Sequence, residues 1–171
     1  MQINEKAKPF IKWAGGKGQL LSQLDKYLPR RLYNEDFTYV EPFTGGGICN
    51  ADTILADSAL LNKVDIEITN RSFEETADFI KSDRLTFFYF DPPYRPLDAT
   101  SSFTSYAKGD FNDDDQRKLA AFCRQIDSPN CLWMLSNSDC SAKNPDDLFF
   151  EDLYNDFNIE NALRGRCHQV K

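Results

Sequence analysis

The chain has 171 residues, a formal net charge of −7, and 41% hydrophobic against 27% charged residues. This length suits one domain with a sizeable core, and this composition excludes a disordered chain. No apolar run approaches the roughly 20 residues of a bilayer-spanning helix, and the acidic balance excludes a surface wholly given over to nucleic-acid phosphates.

In chain order, residues 18–28 place Leu20, Leu21, Leu24 and Leu28 at helical spacing, and Pro29 stops that helix. Residues 37–40 read as a short strand, followed by a turn-rich segment, residues 41–47. Residues 54–56 read as a second short buried strand ending at Asp57, and residues 64–68 alternate as a strand. Residues 72–81 read as a helix with Ser72 as N-cap and Glu75 three positions on, a capping-box pattern. Residues 85–90 are a continuous apolar and aromatic run that suits a strand buried on both faces. A long polar loop, residues 92–109, precedes a helix over residues 113–125 and a buried strand over residues 131–135. Strands alternating with helices predict an open, mainly parallel α/β sheet, with ligands beyond the carboxyl ends of its strands.

The remaining composition narrows the chemistry. Five cysteines (Cys49, Cys123, Cys131, Cys140, Cys167) are scattered without a C-x-x-C pair, and His168 is the single histidine. Reduced thiols are expected, with no disulfide framework and no metal. The first nine residues are polar and charged, without a signal-peptide h-region, so a cytoplasmic protein with no membrane partner is expected. Basic residues cluster early (Lys8, Lys12, Lys17, Lys26, Arg30, Arg31) and at the end (Arg164, Arg166, His168, Lys171). A local basic groove therefore stays open.

Four motifs fall at strand ends or helix starts. Glu41-Pro42-Phe43-Thr44-Gly45-Gly46-Gly47 follows the first strand. Its glycines admit close backbone approach, which suits a nucleoside without phosphate, or equally an ordinary turn. Asp57 ends a strand where an acid can accept from ribose hydroxyls, though a solvated turn acid reads the same way. Phe10-Ile11-Lys12-Trp13-Ala14-Gly15-Gly16-Lys17 offers an aromatic wall for an apolar or sulfonium ligand and a lysine for a carboxylate, or a glycine turn opening the first helix. Asp91-Pro92-Pro93-Tyr94 follows the most apolar strand. Its prolines hold the backbone extended and donate nothing, so carboxylate and carbonyl acceptors stand beside an aromatic face. That arrangement suits a planar exocyclic amine, with a rigid strand-exit loop as the plainer alternative.

FIKWAGGK, YVEPFTGGG, ILAD and FDPPY, in this order, resemble the adenine-N6 DNA methyltransferases, and more narrowly the GATC-specific Dam-type group. Residues 91–122, Leu135-Ser136-Asn137-Ser138-Asp139 and residues 148–159 share the likeness, so about three quarters of the chain falls in recognisable blocks. The resemblance implies a Rossmann-like methyltransferase fold, S-adenosylmethionine as cofactor and double-stranded DNA as partner. It implies cofactor contacts at Trp13, Ala14, Gly15, Gly16, Lys17, Glu41, Pro42, Phe43, Gly45, Gly46, Asp57 and Asp91. Asp91, Pro92, Pro93 and Tyr94 would form the catalytic centre, with Tyr94 stacked on a flipped adenine. Lys12, Arg95, Thr100, Ser101, Ser102 and Tyr106 would face DNA. A monomer or weak dimer is expected, with no metal.

The pattern breaks between Lys63 and Val64, where the related enzymes carry a helical target-recognition segment. Either stretches of a longer protein are left out of this sequence, or the chain is truncated. The first is favoured, because deletions at several sites inside motif blocks would wreck a fold. Residues 1–171 are thus read as one catalytic domain. Two rival readings stand beside this one: an RNA or protein amide N-methyltransferase using the same acceptor tetrapeptide, and a non-catalytic fragment that binds cofactor or DNA.

Overall fold

In the computed structural model, which describes residues 21–43, 62, 65–96, 111–142, 144–161 and 168–170, the apolar run Leu85–Phe90 forms the predicted buried strand. The chain divides into two units: Met1–Tyr27 with Thr44–Asn70, and Leu28–Phe43 with Arg71–Lys171.

The first unit contains helix α1, Leu21–Tyr27, which ends before Pro29 as expected. Its residues 65–70 are irregular and exposed, not the strand that the alternation predicts. A period-two pattern becomes a strand only against a partner edge, and none pairs with it among the described residues. Ile66 and Ile68 remain 41% and 84% exposed. The expected strand at residues 54–56 lies outside the described residues, as does the Lys63–Val64 junction.

The second unit holds a five-stranded sheet in the order β1-β2-β3-β5-β4. Its strands are β1 (Phe37–Val40), β2 (Leu85–Phe90), β3 (Cys131–Asn137), β4 (Ile159–Asn161) and β5 (His168–Val170). The first three run parallel, with Val40 opposite Phe88 and Phe90 opposite Leu135. The strand β5 pairs antiparallel with both β3 and β4. The predicted mainly parallel α/β sheet is therefore present, in the Rossmann-like manner, with an antiparallel pair closing one side.

Helix α2, Asp113–Ile126, joins β2 to β3. Asn112 caps it: the Asn112 side chain accepts from the amides of Asp114 (2.8 Å) and Asp115 (3.3 Å), and the Asp115 carboxylate accepts from the Asn112 amide (3.2 Å). Three acids in its first turn complement the positive end of the helix dipole. Its inward stripe, Leu119, Ala120, Phe122, Cys123 and Ile126, packs with Phe88 and Phe90 of β2 and Trp133 and Leu135 of β3. Phe122 meets Phe88 and Phe90 edge-on at 6.4 and 6.1 Å. On the opposite face of β2, Phe87 meets Phe37 and Tyr39 of the edge strand β1 at 6.5 and 6.1 Å. A short helix α3, Phe149–Leu153, buries Phe150 and is followed by the buried Tyr154.

The helix expected over residues 72–81 is a 3-10 helix, Glu74–Phe79. Half of its predicted capping box forms, since the Ser72 amide donates to Glu75 at 2.8 Å. Tight i→i+3 bonds, such as Thr76 to Phe73 and Ile80 to Ala77, set the pitch.

Cys123, Cys131 and Cys140 are free and buried. Burial pushes the Cys131 thiol up to about 12, with the Asp127 charge adding, and burial likewise holds the Cys123 thiol well above its ordinary value. Thiolate is the reactive form, so these two should resist an aromatic disulfide reagent in the native protein and react once it unfolds. Mapping the labelled cysteines by mass spectrometry, with and without denaturant, checks this. Rapid native labelling of Cys123 would contradict the packing described.

Candidate active site

Because β1, β2 and β3 run parallel, their carboxyl ends share one edge of the sheet, where α/β ligands bind. Three predicted or recognised blocks lie directly beyond that edge: Glu41-Pro42-Phe43 after β1, Asp91-Pro92-Pro93-Tyr94 after β2, and Ser138-Asp139 after β3. The sheet thus brings together sequence blocks far apart in the chain.

After β1, the exposed Glu41 accepts a hydrogen bond from the Tyr39 hydroxyl at 3.1 Å. Burial and then the Glu41 carboxylate push the Tyr39 phenol well above its ordinary range, with Tyr89 and Asp91 adding. Since Tyr39 is 51% exposed, the charge of Glu41 and the hydrogen bond to it are the stronger reason. Phe43 is half-buried in an aromatic cluster with Phe73 and Phe111, each at 5.6 Å, and Phe90 at 6.5 Å. That packing fixes the exit of the turn.

After β2, Asp91 and Tyr94 are half-buried, Pro92 is buried and Pro93 is exposed. The Pro93 carbonyl accepts from Gln116 Nε2 at 3.1 Å. Arg95, expected to face DNA, is ion-paired to two acids. Its guanidinium pairs with Asp113 (2.9 and 3.3 Å) and with Asp147 (2.6 Å), and lies 4.5 Å from the Phe149 ring centroid. The Asp113 bond first, against the cost of burial, and then the Asp147 bond hold Arg95 firmly in its charged form.

At the end of β3, the fully buried Asn137 accepts from the amides of Arg95 (3.1 Å) and Ser138 (2.9 Å) and donates to Gln116 Oε1 (3.1 Å). The Ser138 hydroxyl donates to the Arg95 carbonyl at 2.6 Å. The sequence gives no role to Gln116, Asp113 or Asp147, and Asn137 and Ser138 fall in a block that resembles the family without a stated role. Gln116 had a detectable signal, since it is a polar residue on the apolar stripe of α2 one turn before Leu119 and Ala120. Asn137 had another, lying two positions past the apolar run of β3.

Lys12, Trp13, Ala14, Gly15, Gly16, Lys17, Gly45, Gly46, Asp57, Thr100, Ser101, Ser102 and Tyr106 lie outside the described residues. Among the described residues, no group of three His, Cys, Asp or Glu side chains could hold a metal ion, and no helix is long and apolar enough to cross a membrane.

The chain matches the family model for D12 class N6 adenine-specific DNA methyltransferases over residues 13–62 and 50–164. It is 29% identical over 276 aligned positions to the Type II methyltransferase M.MjaIII of Methanocaldococcus jannaschii, covering 96% of this chain and 93% of that protein. It is 36% identical over 124 residues to the Type II methyltransferase M1.LlaDCHI of Lactococcus lactis subsp. cremoris, covering 72% of this chain and 40% of the relative. A DNA adenine methylase of Haemophilus influenzae is 32% identical over 83 residues, 48% of this chain and 26% of its own length.

Proposed function

The chain belongs to the D12 class of N6 adenine-specific DNA methyltransferases, and on that premise we propose that it methylates N6 of an adenine turned out of duplex DNA, within GATC, using S-adenosylmethionine. The observation that carries this reading is the placement of Asp91-Pro92-Pro93-Tyr94 at the carboxyl end of the buried strand β2, beside the end of β1.

The chemistry of the side chains fits such a cofactor. Glu41 and Asp91 supply two carboxylates beyond adjacent strand ends, suited to hydroxyl groups and to a cationic centre, and Phe43 packs the segment that follows β1 against Phe73 and Phe111. When bound, the cofactor supplies an electrophilic methyl group.

The chain's own residues handle the amine. An exocyclic N6 amine carries two N–H bonds and needs two acceptors. The Asp91 carboxylate is one. The Pro93 carbonyl is already engaged with Gln116, which favours the Pro92 carbonyl as the other. Two such bonds draw the amine toward tetrahedral geometry and expose its lone pair. Tyr94 supplies a ring face for the adenine, offsetting part of the few kcal/mol lost in unstacking it. Orientation by rigid strand ends is the main source of rate in this scheme.

The alignment with M.MjaIII spans 276 positions against 171 residues here, so that relative carries residues with no counterpart in this chain. This fits the reading that stretches of a longer protein are left out of this sequence; that they include a helical target-recognition segment between Lys63 and Val64 is part of the proposal, carried by the break in the motif pattern there.

Incubating the protein with labelled cofactor and duplexes containing or lacking GATC tests the proposal. N6-methyladenine should form in the GATC duplex at least tenfold faster. Equal rates on both duplexes would remove the GATC assignment, and label found only on RNA or on protein amides would favour the rival enzyme reading.

A further inference from the structure

We propose that Gln116 and Asn137 are positioning residues for the acceptor turn, fixing the backbone on either side of Tyr94. The inference rests on the amine-acceptor reading of Asp91 and Tyr94 and deepens it.

Both amide side chains are fully buried, where an unmet polar group is costly. Their bonds are shared out so that each end reaches the turn. Gln116, from α2, donates to the Pro93 carbonyl, and Asn137, from β3, accepts from the Arg95 amide. The two are linked to each other by the bond from Asn137 Nδ2 to Gln116 Oε1. Pro93 and Arg95 flank Tyr94, so one continuous polar chain grips the residue before it and the residue after it.

Arg95 closes the far side. Its carbonyl accepts from Ser138, and its guanidinium is held by Asp113 and Asp147 and lies against the Phe149 ring. The anchors come from α2, from the end of β3, and from the segment leading into α3. Tyr94 is thereby placed relative to the sheet edge itself. Plain core packing would call for an apolar side chain at residue 116, where the stripe of Leu119, Ala120, Phe122 and Cys123 begins. An apolar side chain there would leave the Pro93 carbonyl and the Asn137 amide unmet. Since a shift of about 1 Å in an oriented group can cost about a hundredfold in rate, this chain is a control point for turnover.

Gln116→Leu and Gln116→Glu in the full chain test the idea, with kcat, KM for duplex, KM for cofactor and melting temperature measured from mildly acidic to mildly alkaline pH. Gln116→Leu should lower kcat roughly 30- to 100-fold while both KM values stay within about threefold. In Gln116→Glu, a protonated carboxyl can still donate to Pro93 and accept from Asn137, whereas an ionised one cannot donate. Burial favours the protonated form. The ratio of its kcat to that of the parent protein should therefore rise as pH falls and collapse as pH rises, while the Gln116→Leu ratio stays flat.

If both variants melt lower but keep kcat within twofold at every pH, the residues are merely structural and the proposal is overturned. A flat Gln116→Glu ratio overturns it too, and that variant alone suffices should Gln116→Leu fail to fold. If the unmutated protein transfers no methyl group to adenine, the parent reading fails instead. That control separates the two failures.

Discussion

Replacing Asp91 with alanine is expected to lower methyl transfer about a thousandfold and to shift the melting temperature by no more than a few degrees. Asp91 sits half-buried at the end of β2, past the last buried phenylalanine and with its Oδ1 buried, and truncating so short a polar side chain removes little apolar packing. Its proposed work lies in the transition state, where an amine gaining positive charge is held by a negative acceptor. Removing a group of that kind costs on the order of 10² to 10⁴ in rate. Asp91→Asn should fall between alanine and the parent, because it keeps one carbonyl acceptor but loses the charge. Measuring kcat/KM by methyl incorporation decides the matter. Activity within about threefold of the parent in Asp91→Ala would show that the amine is held by something else.

The second large effect is on stability. Phe122→Ala should cost about 3–5 kcal/mol, lowering the melting temperature by about 10 °C for a chain of this size. Phe122 is the point where α2 meets the sheet: its ring stands edge-on to Phe88 and Phe90 and lies 5.6 Å from Phe73. Truncation would leave a cavity among three rings that rigid strands and a capped helix cannot close. Phe122→Leu, which keeps most of the volume, should cost less than half as much. Chemical denaturation of the three proteins checks both values, and a loss below about 1.5 kcal/mol for alanine would mean that the site collapses around the gap.

Much of the fold was legible because it is written in long apolar runs. Phe37–Val40 and Leu85–Phe90 form as predicted, Asp113–Ile126 differs from expectation by one residue, and Cys131–Asn137 runs two residues past its predicted end. That extension matters, because Asn137 is a buried strand residue that hydropathy alone assigns to a loop. The alternation at residues 64–68 misled, since an amphipathic pattern does not supply the neighbouring strand it needs. The three-residue strands β4 and β5 are too short to show a period. They exist through their ladders with each other and with β3.

The site was legible in its chemistry and not in its scaffolding. A strand followed by an acid, two prolines and a tyrosine announces acceptors. Nothing in the neighbourhood of residue 91 reveals that a glutamine 25 positions on and an asparagine 46 positions on would hold that turn. Those contacts are made by the crossover from β2 through α2 to β3. Arg95 shows the same limit, since the resemblance gives it a place facing DNA and does not disclose its ion pairs with Asp113 and Asp147.

The turn between α2 and β3 has a consequence for anyone who would alter this protein. Ser128 and Cys131 exchange backbone bonds, the Trp133 indole ties back to Asp127, and Asn130 receives the Thr86 amide. All of this lies at the amino ends of the strands, and the acceptor turn lies at their carboxyl ends. The backbone of this tip is committed, since the Pro129 carbonyl also accepts from Arg31, but the side chains of Ser128 and Asn130 are exposed and therefore offer attachment points. A fluorophore carried on a cysteine placed at residue 128 would report on the molecule at a far remove along the strands from its chemistry.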